Sequence, residues 1–356
     1  MSNISQNEIK PLNLEYVSNI IGDDYKKWRN GDVVCINAQT GTGKTFFITG
    51  NAQTTGLIGS LKSNENLIYL CNRIALKRQV KLDLLKKFSI KPPLIVNETG
   101  KKSIDFDKLD DRTVIKNVTI AAYHAIANGV KEKMFLSLEN KCSLENYKYI
   151  ICDECHFILT DSSYMNKTQL VLYEIVREKY PNSILIYISA TIDEILPLID
   201  KAFEDNKVKG WSAEENHLYK YTTGIDYSYL DVKYFYSEKD IISLVNNDKS
   251  EDKWLIFVTS KDAGKKLQQE FKDHDIDSAF IMSGTNNEET KSIIDSGQFH
   301  CKVLISTKVL DNGVNIKDIS VKNLVVCAYD KTTFIQEIGR VRINIKNPRK
   351  INLFIK

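Results

Sequence analysis

Short apolar runs alternate with longer stretches in which apolar positions recur every three or four residues, and this alternation continues along most of the chain. In the first half the strand-like runs are Val33–Asn37, Leu67–Cys71, Val118–Ala122, Tyr149–Asp153 and Ile184–Ser189. They have strand length and are apolar on consecutive positions, as strands covered on both faces are. Between them, Leu76, Val80, Leu84 and Leu85 share one face of a helix over residues 73–88. A second helical pattern runs from Phe157 to Lys179, with Asp161-Ser162-Ser163 as a start signal. Strands separated by helices predict β-α units and parallel sheets.

The pattern breaks between Lys201 and about Tyr229, where charges, Gly210, Gly224 and several aromatics follow no period. A second series then begins: Val232–Tyr236, Trp254–Thr259, Ser278–Met282, Val303–Ser306, Leu324–Ala328 and a last run at Leu353–Ile355, with helices over Ala263–Phe271 and Glu288–Asp295. The expected organisation is a flexible segment over 1–12, a first α/β domain over 13–205, a junction over 206–230 and a second α/β domain over 231–356. A length of 356 residues also favours two cores over one. The net charge of +3 announces neither a nucleic-acid binder nor an acidic partner. There is no run of ~18 apolar residues to span a membrane, and the polar start, Met1 to Lys10, lacks a signal peptide's apolar core. The seven cysteines are scattered, several of them in strand-like runs, which fits reduced thiols and a cytoplasmic protein. Cys152 and Cys155 form a C-x-x-C without a second pair at zinc spacing.

Chemistry enters at Ala38-Gln39-Thr40-Gly41-Thr42-Gly43-Lys44-Thr45, between the first strand and a helix-compatible run, Phe46 to Ile48. A strand, a glycine-bearing turn, Lys-Thr and a helix form a phosphate-binding loop. The glycines let backbone N–H groups converge on an anion, Lys44 reaches the β- and γ-phosphates, and the Thr45 hydroxyl faces Mg²⁺. Ala38 stands where the usual pattern opens with Gly. Downstream, Asp153-Glu154-Cys155-His156 follows an apolar strand. Asp153 is the metal-side carboxylate and Glu154 the base that takes a proton from the attacking water.

With these motifs the chain resembles a superfamily 2 helicase or translocase of the DEAD/DEAH-like class, with a D-E-C-H box. Asn72 to Gln79 resembles motif Ia, Thr119–His124 the downstream backbone-contact segment, and Ser189-Ala190-Thr191 motif III. Phe257-Val258-Thr259-Ser260 resembles motif IV, Ile305 to Ile316 motif V, and Gln336 to Arg342 motif VI. The resemblance implies two tandem RecA-like domains, each a mainly parallel sheet flanked by helices, with ATP and Mg²⁺ in the cleft between them. It assigns nucleotide contacts to Thr40, Gly41, Thr42, Gly43, Lys44, Thr45, Gly313 and Asn315. Coupling of the nucleotide to motif III falls to His156, Ser189 and Thr191. Gln336 positions the γ-phosphate or the water, and Arg340 is the arginine finger. The usual motif VI carries a second Arg three residues after the first; here Ile343 stands there and Arg342 lies one residue early. Either Arg342 substitutes, or Arg340 acts alone.

The same resemblance assigns nucleic-acid contacts to Arg73, Thr119, Ser260 and Thr307. Lys77, Arg78 and Lys81 on the helix after motif Ia, and Lys261, Lys265 and Lys266 after motif IV, are either further contacts or solvated helix faces. Tyr25 and Trp28 either stack near the adenine or pack on the first sheet. The glutamine motif that reads adenine in DEAD-box RNA helicases is not recognisable. The expected function is an ATP-dependent helicase or translocase on single-stranded or partly duplex nucleic acid, with DNA favoured over RNA by the form of motif V. The alternatives are the motor subunit of a restriction or defence complex, with its nuclease or another accessory protein as partner, and a nucleotide-gated clamp with little turnover.

Overall fold

The computed structural model describes residues 10–51, 53–72, 74–96, 100, 102–123, 125–126, 144–160, 168–177, 180–210, 213–282, 285, 287–308 and 315–356. The chain divides into two compact units. One is Glu15–Gly224; the other joins the described residues 10–14 to Ile225–Lys356.

In the first unit the strands are β1 (Val33–Asn37), β2 (Leu67–Cys71), β3 (Leu94–Val96), β4 (Lys102–Ile104), β5 (Val114–Ile115), β6 (Val118–Ala122), β7 (Tyr149–Asp153), β8 (Ile184–Ser189) and β9 (Leu218–Thr222). The main sheet has the order β5-β6-β2-β7-β8-β1-β9; only β5 pairs antiparallel, on β6. The hairpin β3–β4 stands apart from it. Successive strand residues serve opposite faces, as a pleated strand requires. Ile36, Tyr69, Ile151 and Ile186 join one core with Phe47, Val80 and Leu84 from the helices Lys44–Thr49 and Ile74–Lys87. Cys35, Ile68, Leu70, Cys152 and Tyr187 join the other with Ile195 and Ile199, the latter on the helix Leu196–Val208.

Three expectations change here. The span 206–230 is not irregular throughout: Leu218–Thr222 is the edge strand parallel to β1. Its apolar character comes from Tyr219 and Tyr221, which stack on each other and against Trp28, and interleaved charge hides it from a hydropathy pattern. The helix expected within 157–179 is not α-helical throughout: Thr168–Leu172 continues into a wider π turn at Tyr173–Arg177, and a turn of helix is also described at Phe157–Thr160. Asp161, Ser162 and Ser163 lie outside the described residues. The start was expected to be flexible over 1–12, yet Leu12 is held. Leu12 is buried in the second unit, its amide donating to Ile345 O at 2.9 Å, and Asn13 N donates to Asp226 Oδ2 at 2.6 Å.

In the second unit β10 (Leu230–Tyr234), β11 (Lys253–Phe257), β12 (Ser278–Ile281), β13 (Val303–Ser306), β14 (Val321–Val326) and β15 (Ile351–Ile355) form a parallel sheet in the order β10-β15-β14-β11-β13-β12. Trp254, Ile256, Val303, Ile305 and Val325 pack against Ile241, Val245, Leu267 and Phe271 from the helices Glu238–Asn247 and Lys261–Asp273. In both units the loops that follow the strands gather at the carboxyl ends, where ligands bind in such sheets.

Candidate active site

The loop after β1 is shaped by its own residues. Gly41 and Gly43 hold φ of 94° and 84°, in the left-handed region that favours glycine. The Thr42 hydroxyl donates to Gln39 O at 2.7 Å and closes the turn. Ala38 is fully buried and its amide donates to Ser189 O at 3.0 Å, so the residue that replaces the usual glycine lies inside the sheet. The loop is also tied to flanking segments: Val17 N donates to Thr42 O at 2.9 Å, and Gln39 N to Thr223 Oγ1 at 3.0 Å.

The next strand but one in the sheet delivers the acids. β7 ends at Asp153, and Glu154 follows with φ 51°, a left-handed conformation rare for a residue with a side chain. Backbone strain of this kind is retained where the surroundings enforce it. Here Tyr123 donates its hydroxyl to Asp153 O at 2.9 Å and Glu154 N donates to Asp153 Oδ1 at 3.0 Å. The turn aims Glu154 at the phosphate loop, where its Oε1 lies 2.7 Å from Lys44 Nζ. Asp153 is buried, and its Oδ2 accepts from the Tyr69 hydroxyl. Burial and the Glu154 charge push the Asp153 carboxyl above its ordinary range, while Lys44 and Tyr69 pull it down.

A polar chain continues from Glu154 along the end of β8. His156 Nδ1 lies 2.7 Å from Ser189 Oγ and 3.5 Å from Glu154 Oε2. Ser189 Oγ is 3.4 Å from Glu154 Oε2 and 3.3 Å from Thr191 Oγ1, and it accepts from Thr191 N at 3.0 Å. His156, Ser189 and Thr191 are all buried. The D-E-C-H box and the Ser-Ala-Thr segment thus form one hydrogen-bonded network beside Lys44. Cys155 and Cys152 are packing residues, their thiols raised by burial.

Mg²⁺ in phosphoryl-transfer sites is held by one or two protein oxygens, with substrate phosphates and water completing the shell. Thr45, at the start of the helix after the phosphate loop, and buried Asp153 are a fitting donor pair. Among the described residues no cluster of three or more His, Cys, Asp or Glu offers a full protein cage.

In the second unit the helix Lys331–Ile338 carries Gln336, whose carbonyl accepts from Arg340 Nε at 3.2 Å. Arg340 is buried. Its carbonyl accepts from Ile316 N at 2.8 Å, and Arg342 N donates to Ile316 O at 2.9 Å. This bridge between Ile316 and Val341 stitches the end of motif V, with Asn315, to motif VI. Arg342 is half-buried, and its carbonyl accepts from Arg349 Nη1 at 3.1 Å. Gly313 lies outside the described residues, as does Arg73.

The expected nucleic-acid contacts are scattered. Ser260 caps the helix Lys261–Asp273, accepting from Ala263 N at 3.1 Å, and Thr307 follows β13; both sit at carboxyl ends of strands. Thr119 is the second residue of β6 and accepts from the Tyr147 hydroxyl at 3.1 Å, which places it toward the opposite end of the sheet. Lys81 is neither a contact nor a solvated face. It is 2% exposed and donates to Leu109 O and Asp110 O at 2.9 and 2.8 Å. Arg78 is occupied by a forked pair with Asp110, 2.6 Å at its shortest, and by the Phe106 ring. Lys261, Lys265 and Lys266 are exposed, with Lys266 3.4 Å from Glu238. Trp28 is a core residue against Phe47 and Tyr221.

Comparison with known proteins agrees with this geometry. The family described as type III restriction enzyme, res subunit, matches residues 7–194, and the helicase conserved C-terminal domain matches residues 237–344. Among solved structures, Dbp5 of S. cerevisiae bound to RNA and ADP BeF3 is similar with a TM-score of 0.60 at 18% identity, over 91% of this chain and 79% of that one. Mss116p bound to ssRNA and AMP-PNP is similar with a TM-score of 0.57 at 18% identity, over 92% of this chain and 66% of that one. Comparison with curated proteins gives no match.

Proposed function

The chain is a superfamily 2 helicase with two RecA-like domains, of the family of the type III restriction enzyme res subunit, and from that premise we propose that it hydrolyses ATP to move along DNA. The observation that carries the chemistry is the 2.7 Å pair between Lys44 and Glu154, set beside buried Asp153.

Entry of ATP brings phosphate oxygens to Lys44, which exchanges its carboxylate partner for the β- and γ-phosphates. Glu154 is thereby released to accept a proton from water. The water oxygen bonds to the γ-phosphorus, the bond from phosphorus to the β–γ bridging oxygen breaks, and ADP and phosphate leave. Glu154 holds the proton on its carboxylate until it returns to solvent. Thr45 and Asp153 would hold Mg²⁺, which would supply positive charge to the phosphate oxygens. His156 and Ser189 carry the position of Glu154 to Thr191. Arg340 contributes the guanidinium that neutralises charge spreading over the transferred phosphoryl group, and Gln336 orients the same end of the nucleotide.

DNA as the track is supported by the likeness to the restriction res subunit. The RNA-bound structures are similar at 18% identity, which speaks for the fold and not for the substrate. The same likeness favours, as a second reading, a motor subunit acting with a separate nuclease. ATPase activity measured with single-stranded DNA and with RNA of equal length tests the substrate. Stimulation by DNA exceeding that by RNA is expected, and stimulation by RNA alone overturns the DNA reading.

A further inference from the structure

Tyr69 has no place in the motifs of the chain, yet its hydroxyl meets a metal-side residue. It is the third residue of β2, flanked in register by Ile120 on β6 and Ile151 on β7. Its ring is 1% exposed, in a core whose strand residues on the same face include Leu67, Ile151 and Ile186. A phenylalanine would fill that volume without burying a hydroxyl, and a buried hydroxyl is unfavourable unless it is paired. This hydroxyl is paired: it donates to Asp153 Oδ2, at the end of the neighbouring strand β7. The phenol therefore reaches from the centre of one strand to the carboxylate that ends the next.

We propose that Tyr69 is a positioning residue for Mg²⁺, holding the Asp153 carboxylate in a fixed orientation before the nucleotide arrives. The proposal rests on the reading of this site as an ATPase. Each Asp153 oxygen uses one lone pair, on Tyr69 or on Glu154 N, and keeps another for the metal or its water. Partners that orient ligands in this way are typically worth about 10- to 100-fold in metal affinity. Lys44 and the loop amides hold phosphate without Tyr69, so its effect falls on the metal-dependent part of binding alone.

The test is binding of a fluorescent ADP analogue to the full chain, titrated with Mg²⁺ and repeated in EDTA. In Tyr69→Phe the Mg²⁺ half-saturation is expected to rise by about 10- to 100-fold, with binding in EDTA unchanged. Tyr69→Leu, which suits an aliphatic strand core, gives the same reading if Tyr69→Phe folds poorly. Ile120→Val, a neighbour without a hydroxyl, is expected to lower the melting temperature and leave the Mg²⁺ half-saturation alone. A parent-like half-saturation in a folded Tyr69 variant overturns the role of Tyr69. An equal loss of binding in EDTA and in Mg²⁺ overturns it too, because that is what general core damage produces. Absence of Mg²⁺-dependent nucleotide binding in the parent overturns the ATPase reading itself.

Discussion

Lys81 and Tyr69 show why single residues escape a sequence pattern. A lysine on a helix after motif Ia reads as a phosphate contact or a solvated charge, but its ammonium closes the carbonyls of Leu109 and Asp110, which end another helix. A tyrosine in an apolar strand reads as core, and only the fold reveals that its hydroxyl meets Asp153. Lys44, Asp153 and Glu154 were legible because their chemistry is written in local spacing. Motif VI offers Arg340 as the proposed finger and Arg342 as a substitute, and the carbonyl and amide of Arg342 are engaged by Arg349 and Ile316. For Arg340→Ala a fall in ATP turnover of about 10³- to 10⁵-fold is expected, with nucleotide affinity changed far less. Single-turnover hydrolysis and equilibrium binding measure the two separately. If Arg342→Ala alone had this effect, the finger would be Arg342.

At the scale of elements, strands buried on both faces were the easiest to read. β1, β2, β6, β7 and β8 run where the apolar patterns predict, because most of their positions are covered. Edge strands were harder. β9 presents half-buried tyrosines on either side of exposed Lys220 and does not stand out from a loop, while β10, exposed along most of its length, is read two residues late, as Val232–Tyr236. The helix expected within 157–179, after Asp161-Ser162-Ser163, is found at Thr168–Leu172, but its π turn at Tyr173–Arg177 has no signature in apolar spacing. Capping residues also stabilise the second unit, and one carboxylate makes the point measurable. Asp248 follows the helix Glu238–Asn247. Burial would raise its pKa, but hydrogen bonds from Ser250, Trp254 Nε1 and Lys302 outweigh it and hold the carboxyl at about 2. A carboxyl depressed on folding adds stability above its unfolded pKa of about 4 and loses it as pH falls toward the folded value. Asp248→Asn should therefore cost about 2 kcal/mol at pH 7 and almost nothing near pH 2. Urea unfolding of the second unit across that range measures it, and a cost independent of pH would assign the effect to packing.

For the molecule as a whole, two α/β units divide the chemistry. Glu15–Gly224 carries the phosphate loop, both acids and the His156–Ser189–Thr191 chain, and the other unit carries Gln336, Arg340 and the bridge from motif V to motif VI. The first set is assembled, with Lys44 and Glu154 paired and Asp153 buried beside them. With Glu154 proposed as the base that drives ATP hydrolysis, the deciding observation is single-turnover hydrolysis by Glu154→Gln. The amide keeps the shape of the carboxylate and cannot take the proton. ATP should bind with parent-like affinity while the hydrolysis rate drops by about 10²- to 10⁴-fold. Hydrolysis by Glu154→Gln at the parent rate would contradict the assignment of this site as the seat of catalysis.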